Sequence, residues 1–294
     1  MTFFVYVMVI TMLFSYESAA KTVYVDLSID TTSGDTYPTL QQAIQALYDS
    51  KNQLKEYNNS ITLLPSCASR TLTFSNGTLR GRSAGGIVNI TFPSMSNQNI
   101  NKLQTCSQLP IIDLSTTGSY FNLSSLTYLS ISGITIQYSA TSSQNLFSNI
   151  ETVSFSSFCF NNTEPTLGST GSLPAGMKTN FVLTQVSNVS MSNGIYTYDA
   201  FKTLLITGSD TVNLTSMTYL ILSTTRDLNN QALRITSPTF APTVVNATGM
   251  SASCQSKSLV MPTLIYTSNI TSVDISNYNC LAAISVSQTV INNL

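Results

Sequence analysis

Apolar and small polar residues alternate along the chain in a pattern that recurs. Around Leu129 the sequence reads LSISGITIQ, and 24 residues later, from Val153, it reads VSFSSFCFN. The two stretches align without a gap, so that Ile131 corresponds to Phe155. A period of two predicts short strands that turn their apolar side chains to one face and their Ser side chains to the other.

Further copies of this pattern begin at Val189, Val245 and Val273, and a weaker copy begins at Leu220. Each copy predicts two short strands joined by a tight turn, because Gly, Asn and Ser accept turn conformations readily. The predicted turn positions are Gly133, Ser157, Asn193, Gly249 and Asn277.

A repeat of about 24 residues cannot bury its apolar face alone, so each copy must stack on the next. The pattern therefore predicts an all-β solenoid whose strands pair between successive coils, with Ile131, Phe155 and Met191 in one apolar column. An antiparallel sandwich is the alternative, since turn residues every 8–12 positions are also typical of that fold. The gapless alignment of successive copies favours the solenoid.

The first part of the chain after residue 20 has a different pattern. Residues 21–28 alternate as a strand, residues 37–50 predict a helix with Pro38 at its first position, and residues 60–66 predict a second strand. The apolar stripe of the predicted helix contains Leu40, Ala43, Ile44 and Leu47.

This order of strand, loop, short helix and strand, marked by VYVD, YPTLQQAI and ITLLP, resembles the start of pectin-lyase-like right-handed parallel β-helix proteins of the secreted or cell-surface type found in protists and bacteria. The resemblance implies a right-handed parallel β-helix with a short N-terminal capping helix in residues 21–66 and β-helix coils in residues 67–294. No capping segment follows the last coil, so we expect either another molecule to cover that end or the chain to be truncated there.

The first 20 residues are predicted to be a signal peptide. The apolar run at 3–14 is too short to span a bilayer, and Ser18, Ala19 and Ala20 place small residues before a cleavage site at Lys21. No later segment is long and apolar enough for a transmembrane helix, so we expect a mature chain that is secreted, extracellular or at the cell surface.

Secretion implies that cysteines pair and that N-x-[ST] sequons are glycosylated. We expect bonds between Cys254 and Cys280 and between Cys67 and Cys106, which leaves Cys159 either free or bonded to a partner. Alternation turns Cys159 away from its two phenylalanine neighbours. The predicted glycosylation sites are Asn58, Asn76, Asn89, Asn122, Asn161, Asn188, Asn213, Asn246 and Asn269.

Composition narrows the chemistry further. Ser, Thr and Asn make up 109 of the 294 residues, charged residues only 9%, and there is no His. The absence of His excludes Ser-His and Cys-His dyads and His-ligated metals. A net charge of −1 without a basic run gives no electrostatic footprint for nucleic acid.

Many β-helix proteins of this resemblance are polysaccharide hydrolases or lyases, so the resemblance implies that the catalytic residues of those enzymes could be present. Glycoside hydrolysis needs paired carboxylates, but no two acidic residues are adjacent in this sequence. The resemblance also implies an R-I-K triplet in the hydrolases, and the nearest match here is Arg234-Ile235-Thr236, which lacks the Lys. The candidates for a calcium-dependent lyase site are Asp199, Asp210, Asp227, Arg226 and Arg234. Their spacing fits one coil poorly, so we predict no catalytic residue, no metal site and no cofactor. The acidic residues Asp26, Asp30 and Asp35 are interpreted as turn formers.

We therefore expect a non-enzymatic, glycosylated β-solenoid that serves as a structural or adhesive module of a cell surface or matrix. The alternative is a carbohydrate-binding or degenerate lyase-like module, in which Asp199, Asp227 and exposed tyrosines contact sugar rings. A third hypothesis is a piece of a longer membrane-anchored receptor. The expected partners are a surface glycan or further copies that meet at the solenoid ends. The tyrosines considered are Tyr120, Tyr128, Tyr138, Tyr196, Tyr198, Tyr219, Tyr266 and Tyr278.

Overall fold

The computed structural model describes most of the chain between residues 20 and 278. The described ranges are 20–51, 53–72, 77–80, 85–100, 103–113, 121–124, 126–139, 147–163, 180–198, 203–221, 233–236, 244–254 and 272–278. The predicted signal peptide, apart from Ala20, lies outside these ranges, and so does the end of the coil region after residue 278.

The fold consists of three stacks of parallel strands. The strands are numbered in chain order. Stack one contains β1 (Ala20–Val25), β3 (Asn58–Leu63), β6 (Ile87–Thr91), β9 (Leu126–Ser132), β11 (Phe147–Ser156), β13 (Asn180–Ser192), β16 (Thr211–Thr215), β19 (Val244–Cys254) and β20 (Ser272–Tyr278). Stack two contains β4 (Thr71–Leu72), β7 (Ile111–Asp113), β10 (Thr135–Ser139), β12 (Cys159–Thr163), β14 (Ile195–Tyr198), β17 (Thr218–Ile221) and the end of β19. Stack three contains β5 (Gly77–Arg80), β8 (Phe121–Ser124), the beginnings of β11 and β13, β15 (Thr203–Thr207) and β18 (Leu233–Thr236).

Every pairing between these named strands is parallel, as is the short pairing of β2 (Thr36–Tyr37) with β1. Each coil runs from stack three to stack one and then, across a corner, to stack two. The predicted all-β parallel solenoid is confirmed, and the antiparallel sandwich is excluded by the direction of the strands.

Alternation along stack one places one apolar residue of each coil directly above that of the previous coil. The predicted contacts of Phe155 with Ile131 on one side and Met191 on the other are confirmed, and all three side chains are fully buried. Among the described side chains, the column contains Val23, Ile61, Ile90, Ile131, Phe155, Met191, Leu214 and Ala247. Next to it, the Phe155 ring packs 5.0 Å from the Phe160 ring, which continues the core into stack two.

The corner between stacks one and two is a single residue with positive φ in each complete coil. These corner residues are Gly133, Ser157, Asn193, Ser216 and Gly249. The corner N–H donates to a carbonyl of the next coil, as from Ser157 to Ser192 at 3.0 Å. Four of the five predicted turns are thereby confirmed.

Two details of the predicted repeat are wrong. The copy in the coil after Val189 begins at Val212, not at Leu220, because Val189 pairs with Val212 and Ser216 takes the corner. Leu220 instead lies in β17. The predicted turn at Asn277 lies inside β20, where Val273 pairs with Ala247 and not with Val245 as the repeat predicts.

A short helix covers the core beside β1. Helix α1 (Leu40–Ala46) begins after Thr39, whose side chain accepts a hydrogen bond from the N–H of Gln42 at 3.2 Å. Pro38 therefore precedes the N-cap instead of occupying the first helical position as predicted. The whole predicted stripe is buried: Leu40, Ala43, Ile44 and Leu47. A second helix, α2 (Leu103–Cys106), was not predicted.

Replacement of Gly133 by Ala is expected to destabilise the fold more than replacement of Gly34. Both glycines have positive φ, but a Cβ at Gly133 would lie 2.6 Å from the Phe92 carbonyl oxygen, whereas a Cβ at Gly34 meets nothing within 4 Å. We expect Gly34→Ala to cost about 1–2 kcal/mol for its left-handed backbone, and Gly133→Ala about 2 kcal/mol more, because two backbone segments must separate. Urea unfolding curves of the two variants measure this difference, and equal midpoints would contradict it.

Candidate functional site

The outward side of stack one is a continuous array of hydroxyl and amide groups, here called the polar face. Its first column contains Thr22, Ser60, Asn89, Ser130, Ser154, Ser190, Asn213 and Asn246. Its second column, two residues further along each strand, begins with the exposed Tyr24 and continues with Thr62, Thr91, Ser132, Ser156, Ser192, Thr215 and Thr248. Ser132 is the buried member of this column. Neither column contains a charged residue. Paired strands lie about 4.8 Å apart, so equivalent side chains repeat at that interval along the axis.

Neighbouring coils bond to each other across this face through their side chains. The Asn246 amide nitrogen donates to the Asn213 side-chain oxygen at 2.9 Å, and the Ser156 hydroxyl donates to the Ser132 hydroxyl at 2.9 Å. These bonds follow from the register, which places like polar groups directly above one another. The face can therefore offer uncharged donors and acceptors at regular intervals to a flat, hydrated partner.

Five of the nine predicted glycosylation sites lie on the outer side of stack one with partly exposed side chains. Asn89, Asn213 and Asn246 belong to the first column of the polar face. Asn58 and Asn188 lie in the outward column beside it. The backbones of Asn122 and Asn161 lie in β8 and β12, while Asn76 and Asn269 fall outside the described residues. The sequon arises from strand alternation in the first three of these sites. The Asn lies in the first column, the next residue points into the core, and the Thr lies in the second column.

The structure pairs the cysteines differently from the prediction. Cys106 is bonded to Cys159, with their Cα atoms 5.8 Å apart, so the predicted Cys67–Cys106 pair and the free Cys159 are both wrong. Cys159 does turn away from Phe158 and Phe160, as alternation predicts, and this orientation brings it to α2, which lies outside the core. The predicted partner of Cys254, Cys280, lies outside the described residues.

Cys67 is instead buried as a thiol near the start of the solenoid. Its sulfur lies 3.3 Å from the Val25 carbonyl oxygen, and burial raises the pKa of the thiol. Close by, the Asp26 carboxylate accepts hydrogen bonds from the Ser28 hydroxyl at 2.6 Å and the Ser66 hydroxyl at 2.7 Å. These bonds lower the pKa of Asp26 and tie the loop after β1 to the turn after β3, so Asp26 acts as the predicted turn former.

A shallow cleft of about 520 Å³ lies beside this turn, lined by Leu27, Ser28, Ser66, Arg70 and Thr71. Among these described lining residues the exposed Arg70 is the one cation, and none is a carboxylate.

Two of the tyrosines considered as sugar platforms are core residues. Tyr196 and Tyr219 are fully buried with ring centroids 5.8 Å apart, so neither can stack on a glycan. Burial raises the pKa of Tyr219 above its ordinary value and keeps the phenol protonated. Tyr128 is partly exposed beside the polar face. Tyr120 and Tyr266 lie outside the described residues, and the side chains of Tyr138, Tyr198 and Tyr278 are likewise outside the description.

Most of the lyase candidates lie at positions that the structure does not describe. Asp199, Arg226 and Asp227 lie outside the described residues, and the Arg234 side chain is not described either. Asp210 is exposed at the entrance to β16, where its N–H donates to the Ser187 carbonyl at 2.8 Å. Within the described ranges no three Cys, Asp or Glu side chains are grouped as metal ligands. None of the helices described there has the length and apolar character needed to cross a membrane.

Comparisons with known proteins add no relative. No family model matches the chain, and neither does any curated protein or any solved structure.

Cysteine mapping is expected to find Cys106 linked to Cys159 and Cys67 as a protected thiol. Because Cys67 is 0% exposed and burial raises its pKa, iodoacetamide should label it only after the protein is unfolded. Proteolysis under non-reducing conditions followed by mass spectrometry measures both. A peptide that links Cys67 to Cys106 would contradict the structure, and rapid labelling of Cys67 in the native protein would contradict its burial.

Proposed function

We propose that the chain is a non-enzymatic, secreted, N-glycosylated β-solenoid that serves as a structural or adhesive module of a cell surface or matrix. The observation that carries the proposal is the polar face, which presents hydroxyl and amide groups over eight successive coils without a charge. Such a face makes many weak, repeated hydrogen bonds to a hydrated partner, which is the requirement for adhesion.

The glycoprotein part of the proposal rests on the sequons and on the predicted signal peptide. Asn58, Asn89 and Asn188 reach solvent from regular strands, so attached glycans would project from the solenoid without entering its core. Glycans would also provide the hydration that the sparse charged residues do not.

A carbohydrate-binding module is the second candidate, and the same polar face favours it. Ser, Thr and Asn side chains are suited to hydrogen bonding with sugar hydroxyls, and Tyr128 lies beside the two columns. The burial of Tyr196 and Tyr219 limits this candidate, because stacking on those rings is excluded. In either case we expect no cleavage of the bound chain.

The protein secreted from eukaryotic cells is expected to have an intact mass that corresponds to a chain starting at Lys21 and carrying several N-glycans. Enzymatic removal of the N-glycans should lower this mass to that of the chain alone. The mass is measured without reduction, and the same protein made in the presence of a glycosylation inhibitor is the control. Retention of Met1 on a chain without glycans would overturn the secreted glycoprotein.

Substitution of Ser154 by Lys is expected to weaken adhesion to cell-wall or matrix polysaccharide at least about tenfold, because a hydrated ammonium group in the middle of the polar face prevents close contact. Gln45→Lys, at an exposed position on helix α1 and outside both columns of the polar face, adds the same charge and is the matched control. Binding of purified protein to polysaccharide-coated beads measures the effect, with size analysis of the polysaccharide afterwards. Equal binding by both variants would contradict the proposed surface, and shortened polysaccharide would contradict the absence of enzymatic activity.

A further inference from the structure

The segment formed by residues 93–100 and 103–109, here called the strap, lies along the column of corners and not within one coil. It is inserted between β6 and β7, where later coils have a single corner residue. Its Ser96 carbonyl accepts hydrogen bonds from the Ser132 hydroxyl at 3.1 Å and from the Ser157 hydroxyl at 2.9 Å. Further along, the Ile100 N–H donates to the Asn193 carbonyl at 3.0 Å. The strap therefore contacts the corners of the next three coils.

The second part of the strap, residues 103–109, contacts the same coils. The Cys106 carbonyl accepts a hydrogen bond from the Thr135 hydroxyl at 3.0 Å, and the Cys106 sulfur is bonded to Cys159 one coil further on. Ile100, Leu109 and Ile195 pack around the disulfide in a cluster separate from the solenoid core. The strap is thus attached by hydrogen bonds, by apolar contact and by one covalent bond.

These attachments change how the solenoid can open. In a stacked repeat each coil contacts only its neighbours, so coils can open one after another from an end. Here the coil of β11 and β12 is attached to the strap, which is inserted in a coil two positions earlier. This coil cannot open unless the Ser157–Ser96 hydrogen bond and the Cys106–Cys159 disulfide both break.

We propose that the strap, latched by the Cys106–Cys159 disulfide, is a clasp that makes the coils from β9 to β14 open as one unit, and that a dithiol reductant releases it. Release transfers two electrons and two protons: the reductant closes to a disulfide, while Cys106 and Cys159 become thiols. Both cysteines are nearly fully buried, so the reductant reaches them only when the strap opens briefly. The proposal concerns the fold and is independent of the adhesive function.

Amide hydrogen exchange of the full chain, measured by mass spectrometry with and without a dithiol, tests the clasp. In the oxidised protein we expect peptides from β9–β10, β11–β12 and β13–β14 to exchange at one common slow rate. After reduction we expect these rates to separate and to rise at least about tenfold, while peptides from β1 and β3 keep their rates. The double variant Cys106→Ser with Cys159→Ser should reproduce the reduced pattern and provides the readout if the folded protein resists the dithiol.

Ser157→Gly is the matched control. It keeps the disulfide and suits the positive φ of 49°, but it removes the hydroxyl that donates to Ser96. We expect faster exchange near the corner and unchanged common behaviour of the three coils. Identical exchange with and without the disulfide would overturn the clasp. Equal acceleration or loss of protection in β1 and β3 would also overturn it, because the disulfide would then act on global stability and not on these coils.

Discussion

In-register parallel hydrogen bonding between successive coils is the constraint on which the structure depends. Once Ile131 lies opposite Phe155, every residue before and after it points to the same side as its counterpart in the next coil. The buried column and the polar face are therefore two consequences of one register. A slip of one residue would exchange them, turning Ser154 inward and Phe155 into solvent. The complete burial of the column makes that exchange costly, which is why the register persists from β1 to β16.

The corners are where the fold tolerates departures from this rule. A corner residue has left-handed backbone and bonds to the next coil through its own N–H, so neither strand beside it must change. Glycine is required at Gly133 by the close Phe92 carbonyl, whereas Ser157 and Asn193 accept the same conformation with a side chain. An insertion at a corner leaves both ladders intact. The strap uses this freedom, and it extends along the axis because the stacked corners offer hydroxyl and carbonyl partners there.

The scarcity of charge has a structural counterpart in the polar face. Ser and Asn side chains of neighbouring coils bond to one another there, so the described polar face is held without ion pairs. The one described salt bridge joins Lys21 to Asp35, at the start of the solenoid, where the regular columns begin. The same alternation places an Asn and a Thr on either side of one inward residue at Asn89, Asn213 and Asn246.

The sequence by itself determined the solenoid, its apolar column and most of its corners, because a period of two and a repeat of one coil are visible in nearby residues. The burial of Leu40 and Ile44 followed from helical spacing in the same way. The weaker copy is predicted at Leu220 but begins at Val212, because both stretches alternate and the corner Ser216 resembles the other serines and threonines around it.

Only the tertiary structure decided the partner of Cys159, the course of the strap and the burial of Tyr196 and Tyr219. Alternation shows that Cys159 points outward, but not what covers it, since the covering segment belongs to a coil 53 residues earlier in the chain. The strap itself lacks the alternation of the coils. Its partners lie on three different coils that become neighbours only when the solenoid is stacked, and local patterns carry no record of contacts between residues as distant as Ile100 and Asn193.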